Sequence, residues 1–404
     1  MNWKRKYARN WGRLDMKFDR NKVSIGDFCE IKKITIKPIP NNSYICYSLP
    51  AFDNAKTPEC VDGKDIKSSK FQLDPNTILF NKLNPKFRRV WNIKELNERE
   101  NNVCSTEFLP LKIKKGIDQD FLYYYLYSPY FTSLMDGIKS GTSNSQQRID
   151  WKLFLRQEVL LPPYEIQCKI SSILRNIDGK IELNNAINNN LEQQAKTIFA
   201  NEFLSFEALP EDWEQVNLID IADYLNGLAM QKFRPSNNEV GIPVLKIKEL
   251  RQGFCDDNSE QCSPNIKSDY IIHDGDVIFS WSGSLLVDFW CSGVCGLNQH
   301  LFKVSSSKYD KWFYYAWTKH HLNRFIAIAA DKATTMGHIK RAELAKAEIF
   351  IPNETDYNRI GSLLKPIYEL IISNRIENKK LAATRDTLLP KLMSGKLDVS
   401  NIDL

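Results

Sequence analysis

The 404-residue chain is 43% hydrophobic and 26% charged, the profile of an ordinary soluble globular protein with room for two or three domains. Its formal net charge of +6 is small for that length, so it permits a nucleic-acid partner without requiring one. Nine cysteines without a C-x-x-C argue against a zinc site or a disulfide scaffold, and Cys291 and Cys295, the one close pair, read as buried free thiols in a reducing compartment. No run approaches the ~18 apolar residues of a membrane span and no apolar stretch follows the basic N-terminus, so the chain is expected to be cytoplasmic.

In chain order the elements fall into two copies of one plan. After a basic leader of roughly twenty residues, VSIGDF from Val23 opens the first copy, and VNLIDI from Val216 opens the second. The turn signal Asp74-Pro75-Asn76 leads into the strand-like TILF at 77–80, as His273-Asp274-Gly275 leads into VIFS at 277–280. The aromatic helix DFLYYYL from Asp120 answers DKWFYYA from Asp310. Polar stretches from Ser140 and Asp331 follow, then the amphipathic segments WKLFL from Trp151 and RAELA from Arg341. An extended run ending at Pro162 in one copy and at Pro352 in the other leads into a helix. Each copy is thus a mixed α and β unit of about 150 residues followed by a helix of about 30 residues, ~45 Å long. Glu59, Asp62, Lys64 and Asp65 read as a solvated loop.

The two helices share a seam. Leu174, Ile177, Ile181, Asn184, Asn188, Leu191, Ala195 and Ile198 alternate steps of three and four, and adding 190 to each number gives Leu364, Ile367, Ile371, Asn374, Asn378, Leu381, Arg385 and Leu388. Such spacing packs against a partner helix, and polar seam residues fix register at a cost in stability. The partner of each helix is therefore the other copy. Pro366 predicts a kink or a helix that begins near it, Pro390 and Gly395 read as stop signals, Arg385 suggests a partly solvated end, and the last residues read as a loose tail or a short strand.

Catalytic motifs fail on inspection. Leu161-Pro162-Pro163-Tyr164 lacks the hydrogen-bond acceptor that an amino-methyltransferase needs at its first position, Asn84-Pro85-Lys86-Phe87 lacks the second proline, and no phosphate-binding G-x-x-x-x-G-K-[ST] occurs. The five histidines form no H-x-x-x-H. The chain reads as non-catalytic.

The run LPPYEIQCKISSILRNIDGKIELNN from Leu161 resembles the central conserved region of the DNA specificity subunits of type I restriction-modification enzymes. TLLPKLMSGK from Thr387 resembles their distal conserved region, and GIPVLKIKEL from Gly241 and GDVIFSWSGS from Gly275 are similar to pieces of their target-recognition domains. The resemblance implies an α+β protein: two target-recognition domains separated by two long helices that form an antiparallel intramolecular coiled coil with a pseudo-two-fold repeat. The domains would be 1–161 and 206–352, the helices 162–205 and 353–397, and the tail 398–404. Each domain would read half of an asymmetric bipartite site in double-stranded DNA, the helices setting the gap. Two methylation subunits carrying S-adenosylmethionine, and two restriction subunits using ATP and Mg, would be the partners, with no cofactor in this chain. A coiled-coil protein-interaction scaffold is the alternative.

For phosphate and base contacts, Lys and Arg among Asn, Gln, Ser, Thr and His on loops are the candidates. The first copy offers Asn81, Lys82, Asn84, Lys86, Arg88 and Arg89, then Gln146, Gln147 and Arg148. The second offers Lys246, Lys248 and Arg251, then Ser280, Trp281 and Ser282, then Lys332, Thr334, Thr335 and His338. Trp281 and the tyrosines at 123–125 read as core aromatics rather than stacking platforms.

Overall fold

The computed structural model describes residues 21–54, 56–84, 87–97, 99–135, 139–140, 147–331 and 339–402. The chain divides into two compact units, Met1–Gly179 with Ala383–Leu404, and Lys180–Ala382. The basic leader lies outside the described residues.

In the first unit, Asn21–Ser24 pairs antiparallel with Glu158–Leu161, Val23 opposite Val159. A one-turn helix follows, its entry fixed by Asp27, whose carboxylate accepts from the Ser24 amide at 2.8 Å. A four-stranded antiparallel sheet runs in the order Cys29–Ile31, Phe108–Ile113, Thr77–Asn81, Val90–Ile93. A second sheet has Asn101–Ser105 flanked by the parallel strand Ser43–Tyr47 and the antiparallel strand Lys70–Gln72, with Glu59–Asp62 at one edge and Thr35–Ile36 at the other. Glu59 and Asp62 therefore belong to a strand, not a loop, and Asp62 forms an exposed 3.2 Å ion pair with Lys64.

The second unit repeats this plan with one edge strand fewer among the described residues. Glu214–Asn217 pairs with Glu348–Ile351, and the Asp220 carboxylate accepts from the Asn217 amide at 2.8 Å. Its central sheet runs Asp223–Asn226, Leu301–Ser305, Val277–Ser280, Leu286–Phe289. Its second sheet has Cys295–Leu297 between the parallel Ile242–Leu245 and the antiparallel Ile271–Ile272, with Gln261–Cys262 at the edge. The edge strand Thr35–Ile36 of the first unit has no counterpart there among the described residues.

Two helices of 40 residues, Tyr164–Phe203 and Glu354–Met393, complete the fold. They exceed the expected length because their ends are core elements. Ile166, Ile170 and Leu174 of the first helix and Leu389, Leu392 and Met393 of the second are buried in the first unit's core. Ala195, Phe199 and Phe203 of the first helix and Ile360, Leu364, Tyr368 and Ile371 of the second are buried in the second unit's core. Spacings of three and four put each set on one face.

The seam is polar midway. Asn374 donates to the Asn188 side chain and Asn184 to the Asn378 side chain, each at 2.9 Å, and Arg359 grips Glu202 at 2.8 and 2.9 Å. Partner numbers fall as the first helix advances, so the helices run antiparallel. Leu191, Ile198, Ile367 and Leu381 are half-buried along the same face, as are Ile177, Ile181 and Leu388.

Several expectations about the second helix change. It begins at Glu354 and stays helical through Pro366, and Pro390 also lies inside it; the stop is Gly395, at φ +70°. Arg385 is ion-paired rather than solvated: Asp178 lies 2.8 Å away, and the arginine side chain is 19% exposed. The tail is anchored, since Val399 is fully buried in the first unit's core, and Lys169 donates to the Ser400 carbonyl at 2.7 Å. All nine cysteines are free; burial pushes the Cys29 and Cys104 thiols up to about 12.

Candidate nucleic-acid interface

In each unit the central sheet ends in a hairpin closed by a buried polar side chain. In the first unit this is Asn81, whose Oδ1 accepts from the Leu83 amide at 2.9 Å and whose Nδ2 donates to the Leu83 carbonyl at 2.6 Å. In the second it is Ser280, whose hydroxyl donates toward the carbonyls of Ser282 and Ser284 at 3.3 and 2.9 Å. The chain that re-enters after the second candidate loop is stitched to the same hairpin: Ile149 donates to the Lys82 carbonyl and Ile339 to the Trp281 carbonyl, both at 3.0 Å. Thus each unit has one tip where separate loops meet. Of the candidates, Lys86, Gln146, Lys332, Thr334, Thr335 and His338 lie outside the described residues.

The tips sort the rest. Lys82, Asn84, Gln147, Arg88 and Arg148 lie at the first tip, Arg88 and Arg148 exposed and the others half-buried. Asn84 takes φ +51°, a left-handed conformation that asparagine tolerates. Asn81, Ser280 and Ser282, at 2%, 0% and 2% exposure, are corrected from readers to turn-formers, because their side chains face inward. Arg89 is likewise a structural residue, its guanidinium bidentate on Asp53 at 2.7 and 2.6 Å. Lys246 is ion-paired to Glu260, which also holds Arg234 at 2.6 Å; the Lys246 contact keeps the Glu260 carboxyl below its usual range. Lys248 pairs with Asp256 at 3.1 Å, which leaves Arg251 exposed on the same short helix. Trp281 is half-buried on Phe302, and its Nε1 donates to Asn226 at 3.0 Å. Tyr124 and Tyr125 are core residues, as expected.

Sequence reasoning passed over other tip residues. Lys33 lies 4.5 Å from the ring centroid of Trp151, which is 42% exposed, and Lys152 lies 5.7 Å from it. Burial, with the Lys82 ammonium nearby, pulls Lys33 below the usual lysine range. Lys33, Lys82, Arg88, Arg148 and Lys152 make the first tip strongly basic, the footprint of a polyanion. At the second tip Asn226, Gln299 and His300 join Trp281, a ring 6.1 Å from His300. No local motif marks these positions; what marks them is their place at strand ends.

A groove of about 400 Å³ in the first unit is lined by Asp118, Asp120, Glu165, Lys169 and Arg175 among others. Asn92, Lys94 and Arg175 already occupy the Asp120 carboxylate at 2.7, 2.7 and 3.1 Å, so its charge is spent internally.

Comparison with known proteins agrees with this architecture. A profile described as the type I restriction modification DNA specificity domain matches twice, over residues 19–193 and 210–383. The MjaIX specificity subunit of Methanocaldococcus jannaschii is 26% identical over 72% of this chain and 71% of its own. The HindI specificity subunit of Haemophilus influenzae is 21% identical over 84% and 90%. Among solved structures, the S subunit of a type I restriction-modification system from M. genitalium shares the fold, with a TM-score of 0.58 at 14% identity over 94% of this chain and 97% of that one. With two copies of the profile spanning most of its length, the chain belongs to the type I restriction-modification DNA specificity family.

Proposed function

We propose that the two units each read one half of an asymmetric bipartite site in double-stranded DNA, and that the antiparallel helices set the non-specific gap between the halves. The observation that carries this reading is the duplication itself: one strand order occurs twice, with different side chains at the two tips. Readers related by approximate two-fold symmetry meet one face of B-DNA when their centres lie about one turn, ~34 Å, apart. Helices of 40 residues, ~60 Å each, are long enough to act as such a spacer. Unlike tips imply unlike half-sites.

Two methylation subunits dock on the helices in this reading, and Leu183, Ile187, Leu363 and Leu370, apolar yet 55%, 37%, 43% and 45% exposed, supply the surface for them. S-adenosylmethionine chemistry resides in those subunits, and ATP and Mg chemistry in two restriction subunits. This chain contributes no catalytic group, and the complex acts in the cytoplasm.

The test is methylome sequencing of cells that carry the methylation subunit with and without this chain. The expected result is one bipartite motif with a fixed gap that appears only with the chain. A short contiguous motif would overturn the reading. Purified complex should also lose affinity steeply as salt rises while keeping its sequence preference.

A further inference from the structure

At each tip two positions flank the backbone bond that joins the re-entering chain to the hairpin, from Ile149 to Lys82 in the first unit and from Ile339 to Trp281 in the second. One is the residue after the buried hairpin-closing side chain, Lys82 or Trp281. The other lies two residues beyond the donor, Trp151 or Arg341, a pair that the 190-residue offset also relates. Each unit thus has one cation and one aromatic at these places, with the two exchanged. Further cations gather around them. Lys33 and Lys152 lie 4.5 and 5.7 Å from the centre of the exposed Trp151 ring, and Lys340 stands exposed beside the exposed Arg341. The side chains of Lys33, Lys82, Lys152, Lys340 and Arg341 have no ion-pair or hydrogen-bond partner among the described residues. Carboxylates near the first group are committed elsewhere: Asp74 to Lys32, Glu107 to Arg148, and Asp150 to the amides of Lys152 and Leu153 at 2.7 and 3.1 Å. With those amides capped, the short helix opened by Trp151 presents an anion with side-chain cations rather than with its backbone. Ammonium groups held together without counter-charges raise the energy of the free chain, and an anion relieves it.

We infer that these two positions, with the cations around them, form the phosphate anchor of each unit, an inference that rests on the proposed DNA-reading function. In the first unit Lys33, Lys82 and Lys152 meet phosphates of the duplex backbone, with the Trp151 ring as the post against which Lys33 and Lys152 rest. In the second unit Lys340 and Arg341 do the same, the planar guanidinium suiting a phosphodiester. Such contacts fix the register and orientation of a reader on the duplex and carry no base preference. Both anchors adjoin the hairpin and the re-entering chain, so they set where the tip loops fall against the bases. Cation and aromatic change places between the units while the positive charge stays. What the repeat preserves is therefore charge at one place rather than a particular side chain, as a ligand with the same backbone at both half-sites requires.

The experiment uses the purified complex of the chain with its methylation subunit and two duplexes, one carrying the motif found by methylome sequencing and one with that motif scrambled. Affinity for each is measured over a salt series for the wild type and for Lys33→Gln, Lys82→Gln, Lys152→Gln, Lys340→Gln and Arg341→Gln. Each substitution should lower the steepness of log affinity against log salt by about one and weaken both duplexes by the same factor. Trp151→Leu should likewise weaken both equally, and Trp151→Phe, which keeps a ring beside Lys33, should recover the loss. The methylome motif should keep every base and its gap in all variants. An unchanged salt dependence in either unit, or a loss confined to the motif-bearing duplex, overturns the inference while the reading of a bipartite site stands. Variants that no longer assemble with the methylation subunit, judged by gel filtration, also overturn it, because they would make the cluster a protein interface. A wild-type complex that binds both duplexes equally overturns the inference and the proposed function together.

Discussion

The two units are the same scaffold fastened to the helices by different chemistry. In the first, Tyr124 donates to Asp178 of the first helix at 2.7 Å, and Arg385 of the second helix reaches the other oxygen of that carboxylate at 2.8 Å. In the second, Tyr314 takes the place of Tyr124 and the position of Asp178 falls to Tyr368, which packs edge-on against Tyr315 at 5.0 Å. The charged clasp moves to Arg375, which joins Glu192 of the first helix at 2.9 Å to Asp288 of the central sheet at 2.6 Å. Both arginines come from the second helix; their repeat positions on the first are Ala195 and Asn185. Duplication thus conserved what each unit's core requires and left the clasp free to diverge, because any well-paired set of groups can anchor a helix already held by apolar burial.

The largest effect should come from that burial. Leu174 and Leu364 are both fully buried, each in the core of a different unit. Leu174→Ala and Leu364→Ala should each cost about 2–5 kcal/mol. Hydrogen exchange by mass spectrometry should show protection falling in the strands of the first unit for one variant and of the second for the other. Equal loss in both units from either variant would mean that the cores do not act separately.

Next comes the clasp. Arg375→Met strands two carboxylates, whereas Arg385→Met strands chiefly Asp178, and both arginines are largely but not wholly shielded. After allowance for solvent screening, about 2 kcal/mol is expected for Arg375 and about half that for Arg385, read as shifts in denaturant midpoint. An equal shift would make the difference between the two clasps one of appearance only.

How much of this could be read in the sequence depended on range. The long helices and the repeat were legible, since alternating steps of three and four persist through Leu174–Ile198 and again through Leu364–Leu388. Pro366 does not mark the start of the second helix, because a proline's local cost is set against burial of Ile360, Leu364, Tyr368 and Ile371 around it, which no local rule weighs. Strand order was illegible because sheet pairing is non-local. The tips were half-read: residue type drew attention to Asn81, Ser280 and Ser282 but cannot say that their side chains face inward.

An effect about as large as that of the Arg375 clasp separates the units by pH. His321 is buried, its Nε2–H donates to the Glu348 carbonyl at 2.9 Å, and burial lowers its pKa to about 4. The first unit has Phe131, fully buried, at the same repeat position. The folded second unit keeps the imidazole neutral while the unfolded chain takes a proton near 6.5, so stability is full above ~6.5 and falls as the pH drops toward 4. Between pH 7 and pH 5 the second unit should lose about 2 kcal/mol from this residue, and His321→Phe should abolish that part of the acid sensitivity. An acid profile unchanged in the variant would assign the sensitivity elsewhere.

The smallest effect concerns the seam asparagines, which belong to neither hydrophobic core. Asn188 and Asn374 are 5% and 8% exposed and satisfy each other at 2.9 Å. Asn374→Ala alone leaves the Asn188 oxygen unpaired and should cost about 1 kcal/mol. Replacing both by leucine removes the polar pair and should return that much or more, since apolar seam residues pack without a desolvation penalty. The gain should come with a loss of registry: leucine fits a seam at several offsets, whereas a matched asparagine pair fits one. Cross-linking of cysteine pairs placed along the helices should give a single pattern in the wild type and a broadened one in the double variant. A sharper pattern together with higher stability would show that the asparagines only weaken the seam, and that the Arg359–Glu202 pair and the helix ends suffice to fix its register.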